Sequence, residues 1–375
     1  MRPDIAELFE LDPALTHLNH GAFGAVPRVV REAQDRARAR IEGAPMRAFR
    51  DELPDAIAAA REQAAAFVEV PTDSAALVRN VSEAVAVVLE SLSIGLGDDV
   101  VVSNHGYPTV SLAVQARGGS TREARFGLGA STAEIVAAFT EALTPDTRLV
   151  VIDQITSGTA LVLPVREVAA AVAPVPVLVD AAHVPGALPV DVEALGVAFW
   201  AGNLHKWAFA PRSSAVLWVE AQRRGGVRPL VTSWSHGSPY PASFDLQGTV
   251  DHSAWLAIPE AVAFWHDLGG WRNVERNADV LQRGARHVAT ALGTVGEPSG
   301  IPSPPCMTLV PLPDGAAATP DGAEALWQQL HAAGFLAPPG SFEGRGYVRL
   351  AAQAYNDDDD YARLAETLVS LVGRA

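Results

Sequence analysis

The chain is predicted to be an α/β protein built on a mostly parallel sheet, and three observations carry that prediction. Stretches with helical spacing of apolar residues alternate with short apolar strands. The strands "VVVS", "LVVID" and "VPVLVD" are near-continuous runs of Val, Leu and Ile, as expected of parallel strands covered on both faces. Their ends carry polar residues that open loops, and open parallel sheets bind ligands beyond the carboxyl ends of their strands. With 375 residues, 49% of them hydrophobic, the chain can fill one large core and a second unit.

In chain order, "VPRVVREAQDRARARIEG" (26–43) reads as a helix opened by Pro27, and "DELPDAIAAAREQAAAFVEV" (51–70) as an Ala-rich helix with Pro54 near its start. The short strand "AALVRN" (75–80) runs directly into the helix "SEAVAVVLESL" (82–92). The strand "DDVVVS" (98–103) is followed by the loop "NHGYPT" (104–109). "RLVVIDQIT" (148–156) and "VPVLVDAAH" (175–183) are strands on either side of the helix "REVAAAVA" (166–173). Another strand leads into "GNLHKW" (202–207), and a further apolar strand covers 214–219.

Beyond residue 255 the grain changes. "AWLAIPEAVAFWHDLG" and "WRNVERNADVLQRGARHVATAL" read as helices, and weaker strands near "MTLVPL" and "GYVRLA" alternate with helices. The expected division is a large domain over residues 20–255 and a smaller α+β domain made of 1–19 and 256–375. "NDDDDY" (356–361) reads as the acidic start of a helix, so no metal is expected there.

A formal charge of −15 argues against nucleic acid and anionic membranes as partners. The single cysteine, Cys306, leaves no disulfide framework and fits a reducing, cytoplasmic setting. The N-terminus carries acids where a signal peptide needs an apolar core. No apolar run is long enough to span a membrane. A cytoplasmic protein acting on a small molecule is the expectation.

Lys206 stands among Trp, Phe and Ala, although lysine is costly to bury. Asp180 ends an apolar strand, with His183 three residues later, and a strand turns into a helix at Asn80, Val81 and Ser82. Taken singly, Asp180 is a turn residue, His183 a satisfied core histidine, and Asn80 and Ser82 helix caps. Together, each at a strand end, they match the needs of pyridoxal 5′-phosphate. A lysine forms the Schiff base, a carboxylate keeps the pyridine nitrogen protonated, and helix amides hold the phosphate.

On these residues the chain resembles the fold-type I pyridoxal-phosphate enzymes, within them the class V aminotransferase group and its isopenicillin N epimerase-like members. "LNHGAFGAVPRVV", "DQITSGTALVLPV", "VDAAHVPGALPVDVEALG", "GNLHKWAFAPRSSAVLWV" and "FDLQGTVDHSAWLAIPEAV" follow in family order, and "VRLAAQAYNDDDDYARLAETL" is similar to the family's C-terminal end. The resemblance implies a seven-stranded, mostly parallel sheet and a homodimer with the active site at the subunit interface. It makes Lys206 the cofactor-bound lysine and proton shuttle, Asp180 the partner of the pyridinium, and His183 a contact to the ring or its oxygen. Asn80, Val81, Ser82 and His205 are implied as phosphate ligands, with Gly248 and Thr249 reaching the neighbouring subunit's phosphate. An aromatic ring stacks on the cofactor; His105 and Tyr107 both qualify. Gln154 and Thr156 would reach the cofactor's oxygen. Arg349 would grip the substrate α-carboxylate, as an arginine fork suits. Asn19, His20, Phe23, Arg47 and His236 are further substrate-side candidates.

Once Lys206 has removed the Cα proton, the fate of the electrons left on Cα divides the possible activities into β-elimination, epimerisation and transamination. Loss of CO₂ in place of that proton would give decarboxylation coupled to oxidative deamination. Cysteine desulfurases of this class carry a nucleophilic cysteine shortly before the carboxylate-binding arginine, and "GFLAPPGSFEGRGYVRL" holds none. A persulfide-forming desulfurase is therefore not expected. The leading expectation is a C–S lyase acting on a cysteine S-conjugate. Epimerisation needs a second acid or base, which Tyr107 or His20 would supply.

Overall fold

The computed structural model describes residues 3–294 and 300–373. After the short strand β1 (Thr16–His17), seven strands form one sheet: β2 (Ala75–Val78), β3 (Asp99–Ser103), β4 (Ser120–Ala124), β5 (Thr147–Asp153), β6 (Val177–Asp180), β7 (Phe199–Asn203) and β8 (Ala215–Val219). Their order is β2-β8-β7-β6-β5-β3-β4. Only β8 runs against the others, pairing antiparallel with both β2 and β7. The later strands are β9 (Met307–Pro311), β10 (Phe335–Leu336), β11 (Pro339–Phe342) and β12 (Arg345–Ala351). β11, β12 and β9 form a small antiparallel sheet, and β10 pairs in parallel with β1. The fold is the α/β arrangement expected, a mostly parallel sheet with a smaller C-terminal α+β part.

Both faces of the large sheet are covered, which is why its strands carry no polar alternation. On one face Leu149, Leu178 and Leu217 meet Val85, Val88 and Leu89 of the helix Val81–Ser91. On the other, Val150, Val179 and Trp200 share a core with the helix Leu53–Phe67. That helix buries Leu53, Ile57, Ala60 and Ala64, an i, i+4, i+7, i+11 stripe. Helix Ile258–Asp267, beyond the expected division at residue 255, joins the same core through Ile258, Ala261 and Trp265. The C-terminal core is separate and collects Leu18, Val280, Leu281, Val348, Leu350 and Leu368 among others. Within it Gly284 lies against Tyr361; a Cβ there would sit 2.3 Å from the ring.

Three elements of the large sheet and its helices lie outside the sequence expectation. The first is helix Pro108–Gln115, which opens at Pro108 inside the stretch expected as a loop. β4, "STREA", is a largely exposed edge strand, so no buried face imprints a pattern on it. Helix Thr132–Glu141 begins with a capping box in which Ser131 and Glu134 bond reciprocally. The acidic stretch near residue 357 caps a helix, as expected: Asp357 and Asp360 form a capping box at the start of Asp358–Val372.

Because β2, β3, β5, β6 and β7 run the same way, their carboxyl ends share one edge. Asn80, the loop 104–107, Asp153, the stretch from Asp180 to His183, and the stretch from Asn203 to Lys206 all issue there.

Candidate active site

Lys206 follows β7 and is 8% exposed, with its ammonium 3.0 Å from His183 Nε2. An ammonium only donates, so Nε2 accepts and the ring proton rests on Nδ1. Burial brings the Lys206 pKa down to about 8, with Arg349 adding to the fall and Asp180 opposing it. His183 is held well below its ordinary range, first by burial and then by the charge of Lys206, so it is neutral. Asp180, 4% exposed, accepts from the Ala182 amide at 3.0 Å; burial raises its pKa and Lys206 draws it back down. An amine, a neutral imidazole and a carboxylate therefore stand together out of water.

The backbone around Lys206 is fixed by the N-terminal "NHGAFG". His20 is buried, with Nε2 3.0 Å from the Lys206 carbonyl and Nδ1 3.0 Å from the Tyr355 hydroxyl. A carbonyl only accepts, so Nε2 carries the proton and Nδ1 accepts from Tyr355. Burial lowers the His20 pKa to about 3. Gly24 has φ +67°, and a Cβ there would fall 2.1 Å from the His205 carbonyl oxygen. His20, expected on the substrate side and as a second acid or base, instead holds the lysine loop in place.

Arg349 reaches the edge from β12. Its Nη1 donates to the Ser157 carbonyl and its Nη2 to Asn19 Oδ1 at 2.7 Å, which orients the fork, while Nε is buried without a partner. Burial brings its pKa down to about 10, so it remains a cation at neutral pH. Beside it opens a cavity of about 450 Å³ lined by Tyr107, Ser157, Leu309, Pro338, Phe342 and Tyr347, among others. Asn19 thus belongs to the arginine clamp, and Ser157 joins it although no sequence signal singled it out.

His105 is not free to stack on a ligand. Phe126 and Phe342 stack on it at 4.4 and 4.5 Å between ring centroids, closing both faces. Its Nδ1 is bonded to Thr159 Oγ1 and its Nε2 to the Phe126 carbonyl, both at 2.9 Å, and burial takes its pKa to about 4. Tyr107, on the same loop, is 45% exposed and lines the cavity.

Several other expected contacts are turned elsewhere. Gln154 Oε1 accepts from Trp200 Nε1 at 2.9 Å on the opposite face of the sheet. Thr156 is buried in a turn, where its hydroxyl serves the Leu161 amide and Thr159. Arg47 is exposed and paired with Glu52, Phe23 is exposed, and His236 lies on an exposed loop. Gly248 and Thr249 stand on another loop, with Thr249 exposed.

At the helix start, the Val81 amide donates to Asn203 Oδ1 at 3.1 Å and the Glu83 amide to Asn80 Oδ1 at 2.9 Å. Asn203 carries no signal in the sequence that marks it for this role. One of the amides expected for a phosphate, that of Val81, is thus taken within the chain, as is the neighbouring Glu83 amide, and Ser82 is exposed between them. His205 Nδ1 and His183 Nδ1 are buried with no hydrogen-bond partner among the described residues.

These orphaned imidazole nitrogens, the buried amine and the helix N-terminus fit pyridoxal 5′-phosphate, with Lys206, Asp180, His183, His205 and Ser82 as the groups that would hold it.

Residues 17–285 match the family model described as aminotransferase class V. The chain belongs to that family. It is accordingly a pyridoxal-phosphate enzyme. The chain is 30% identical to isopenicillin N epimerase of Streptomyces clavuligerus over 97% of its own length and 96% of the relative's. It is 28% identical to a probable chloroplastic L-cysteine desulfhydrase of Arabidopsis thaliana, covering 98% of this chain and 85% of the other. Among solved structures, the cystine C–S lyase C-DES in complex with cysteine persulfide superimposes with a TM-score of 0.78 at 21% identity, covering 94% of this chain and 97% of that one. No described helix of the chain is long and apolar enough to cross a membrane.

Proposed function

We propose that the enzyme cleaves the Cβ–S bond of a cysteine S-conjugate by β-elimination, so that one water and one substrate give a thiol, pyruvate and ammonia. The observation that carries this reading is that the site offers one base on one side. Lys206, backed by neutral His183 at 3.0 Å, is poised near neutrality, whereas His20 is locked on the Lys206 carbonyl.

Bound pyridoxal phosphate supplies an electron sink for the Cα–H bond once the substrate's amino group is joined to it. The chain does the rest. Arg349, aimed by Asn19 and Ser157, holds the α-carboxylate and so turns the Cα–H towards Lys206. Lys206 removes the Cα proton and His183 shares its ammonium. With the cofactor bound, Asp180 would keep a negative charge at the pyridine nitrogen, and His205 and Ser82 would hold the phosphate. Tyr107 is the ring assigned to stack on the cofactor. The cavity beside Arg349 gives the departing sulfur substituent room.

Cys306 supports elimination without an enzyme persulfide. It is buried, and burial pushes its thiol pKa up to about 12, so it is no nucleophile. The names of the desulfhydrase and C–S lyase relatives support the same bond cleavage. A second reading, epimerisation, is favoured by the epimerase relative and needs Tyr107 as the opposing acid.

The protein is further proposed to act in the cytoplasm as a homodimer, in which Gly248 and Thr249 reach the partner's phosphate site. The exposed Leu230, Val231 and Trp234 near that loop support this. Assays with S-alkyl and S-aryl cysteines test the activity: pyruvate forming without added keto acid supports the reading, and an absolute requirement for a keto acid overturns it.

A further inference from the structure

Asp153 takes no part in the chemistry above, yet it lies at its centre. The pairing of β5 with β6 sets Asp153 directly opposite Asp180. Strand alternation puts both side chains on the face of Val151 and Leu178. Each is only 4% exposed. One cation, Lys206, acts on both carboxyl groups; Asp180 accepts the Ala182 amide at 3.0 Å, and the backbone N–H of Tyr107 draws the Asp153 pKa down.

One cation does not balance two adjacent carboxylates out of water, and such pairs retain a proton. Asp153 is the better place for it. Burial drives its affinity for a proton well above the ordinary carboxylate range, and the neighbouring charge of Asp180 drives it further. The loop above crosses closely here: a Cβ on Gly106 would lie 3.5 Å from Asp153 Oδ2 and 3.0 Å from the Ser103 carbonyl oxygen.

We propose that Asp153 is a positioning residue, held as a neutral carboxylic acid beside ionised Asp180. In that form it limits the pair to a single negative charge and anchors the backbone of the loop that carries Tyr107. The proposal rests on the assignment of Asp180 to the pyridine nitrogen. One anion then faces one pyridinium, and the neutral acid still offers its carbonyl oxygen to the Tyr107 amide.

Infrared spectroscopy of the holoenzyme tests this directly. A protonated-carboxyl stretch should persist through neutral pH, shift in frequency in Asp153→Glu, and vanish in Asp153→Asn. Asp153→Asn should keep the Schiff-base absorbance and its pH midpoint, because asparagine is also neutral and also accepts the amide. Absence of the band in the wild type, its survival in Asp153→Asn, or a moved absorbance midpoint in that variant overturns the proposal. Failure of the Asp180 assignment reads out separately, as unchanged cofactor absorbance and affinity in Asp180→Asn.

Discussion

At the scale of single residues, the site turns on how burial sets charge. The Lys206 pKa of about 8 means that a growing fraction of the amine is free as pH rises through that value. The rate at which apoprotein captures pyridoxal phosphate should therefore climb with pH, reach its midpoint at about 8 and level off above that, as followed by absorbance. A rate that keeps climbing towards the usual lysine range would place Lys206 in water. Arg349→Ala should raise KM for α-carboxylate substrates roughly 10- to 100-fold while the bound cofactor keeps its spectrum, since charge-assisted hydrogen bonds contribute about 1.5–3 kcal/mol. Loss of cofactor instead would make Arg349 structural. Lys206, Asp180 and His183 are legible in the sequence because each breaks an apolar pattern at a strand end. Asp153 breaks the pattern in the same way and is open to the same reading. Gln154, one residue further, points to the other face, so proximity in sequence misassigns it. His20 is legible as a polar residue in a glycine-bearing motif, but its partner is 186 positions away and no local spacing encodes that contact.

At the scale of elements, glycine shape matters more than side-chain chemistry in "NHGAFG". Gly24→Ala forces an unfavourable φ and a contact with the His205 carbonyl, where backbone strain alone costs about 1–3 kcal/mol. It should lower the melting temperature and weaken cofactor retention together; a variant that melts normally and stays fully loaded would show that the loop is not set from this side. The parallel strands are legible from their apolar runs, because both faces are buried. β4 is not, because an exposed edge strand has no core to record. The helix Thr132–Glu141 does carry a readable signal, the Ser131–Glu134 box followed by the buried Ile135 and Phe139. The hairpin of β11 and β12 shapes the cavity through Phe342, whose ring closes one face of His105 and leaves the cavity edge to Tyr107.

At the scale of the whole molecule, sheet direction gathers residues from five strand ends to one edge, and the C-terminal sheet adds Arg349 from the far end of the chain. The remaining open side, with Ser82 and Thr249 exposed, is where a second copy is proposed to complete the phosphate site. Trp234, 95% exposed, offers a test: Trp234→Glu should shift sedimentation from dimer to monomer and weaken cofactor binding, and an unchanged dimer would move the interface elsewhere. The reaction itself is tested most directly by incubating holoenzyme with a cysteine S-conjugate in D₂O and identifying every product. Elimination with Lys206 as the single base yields pyruvate, ammonia and free thiol in equal amounts. Recovery of the amino acid with deuterium and inverted configuration at Cα, and no pyruvate, would contradict it.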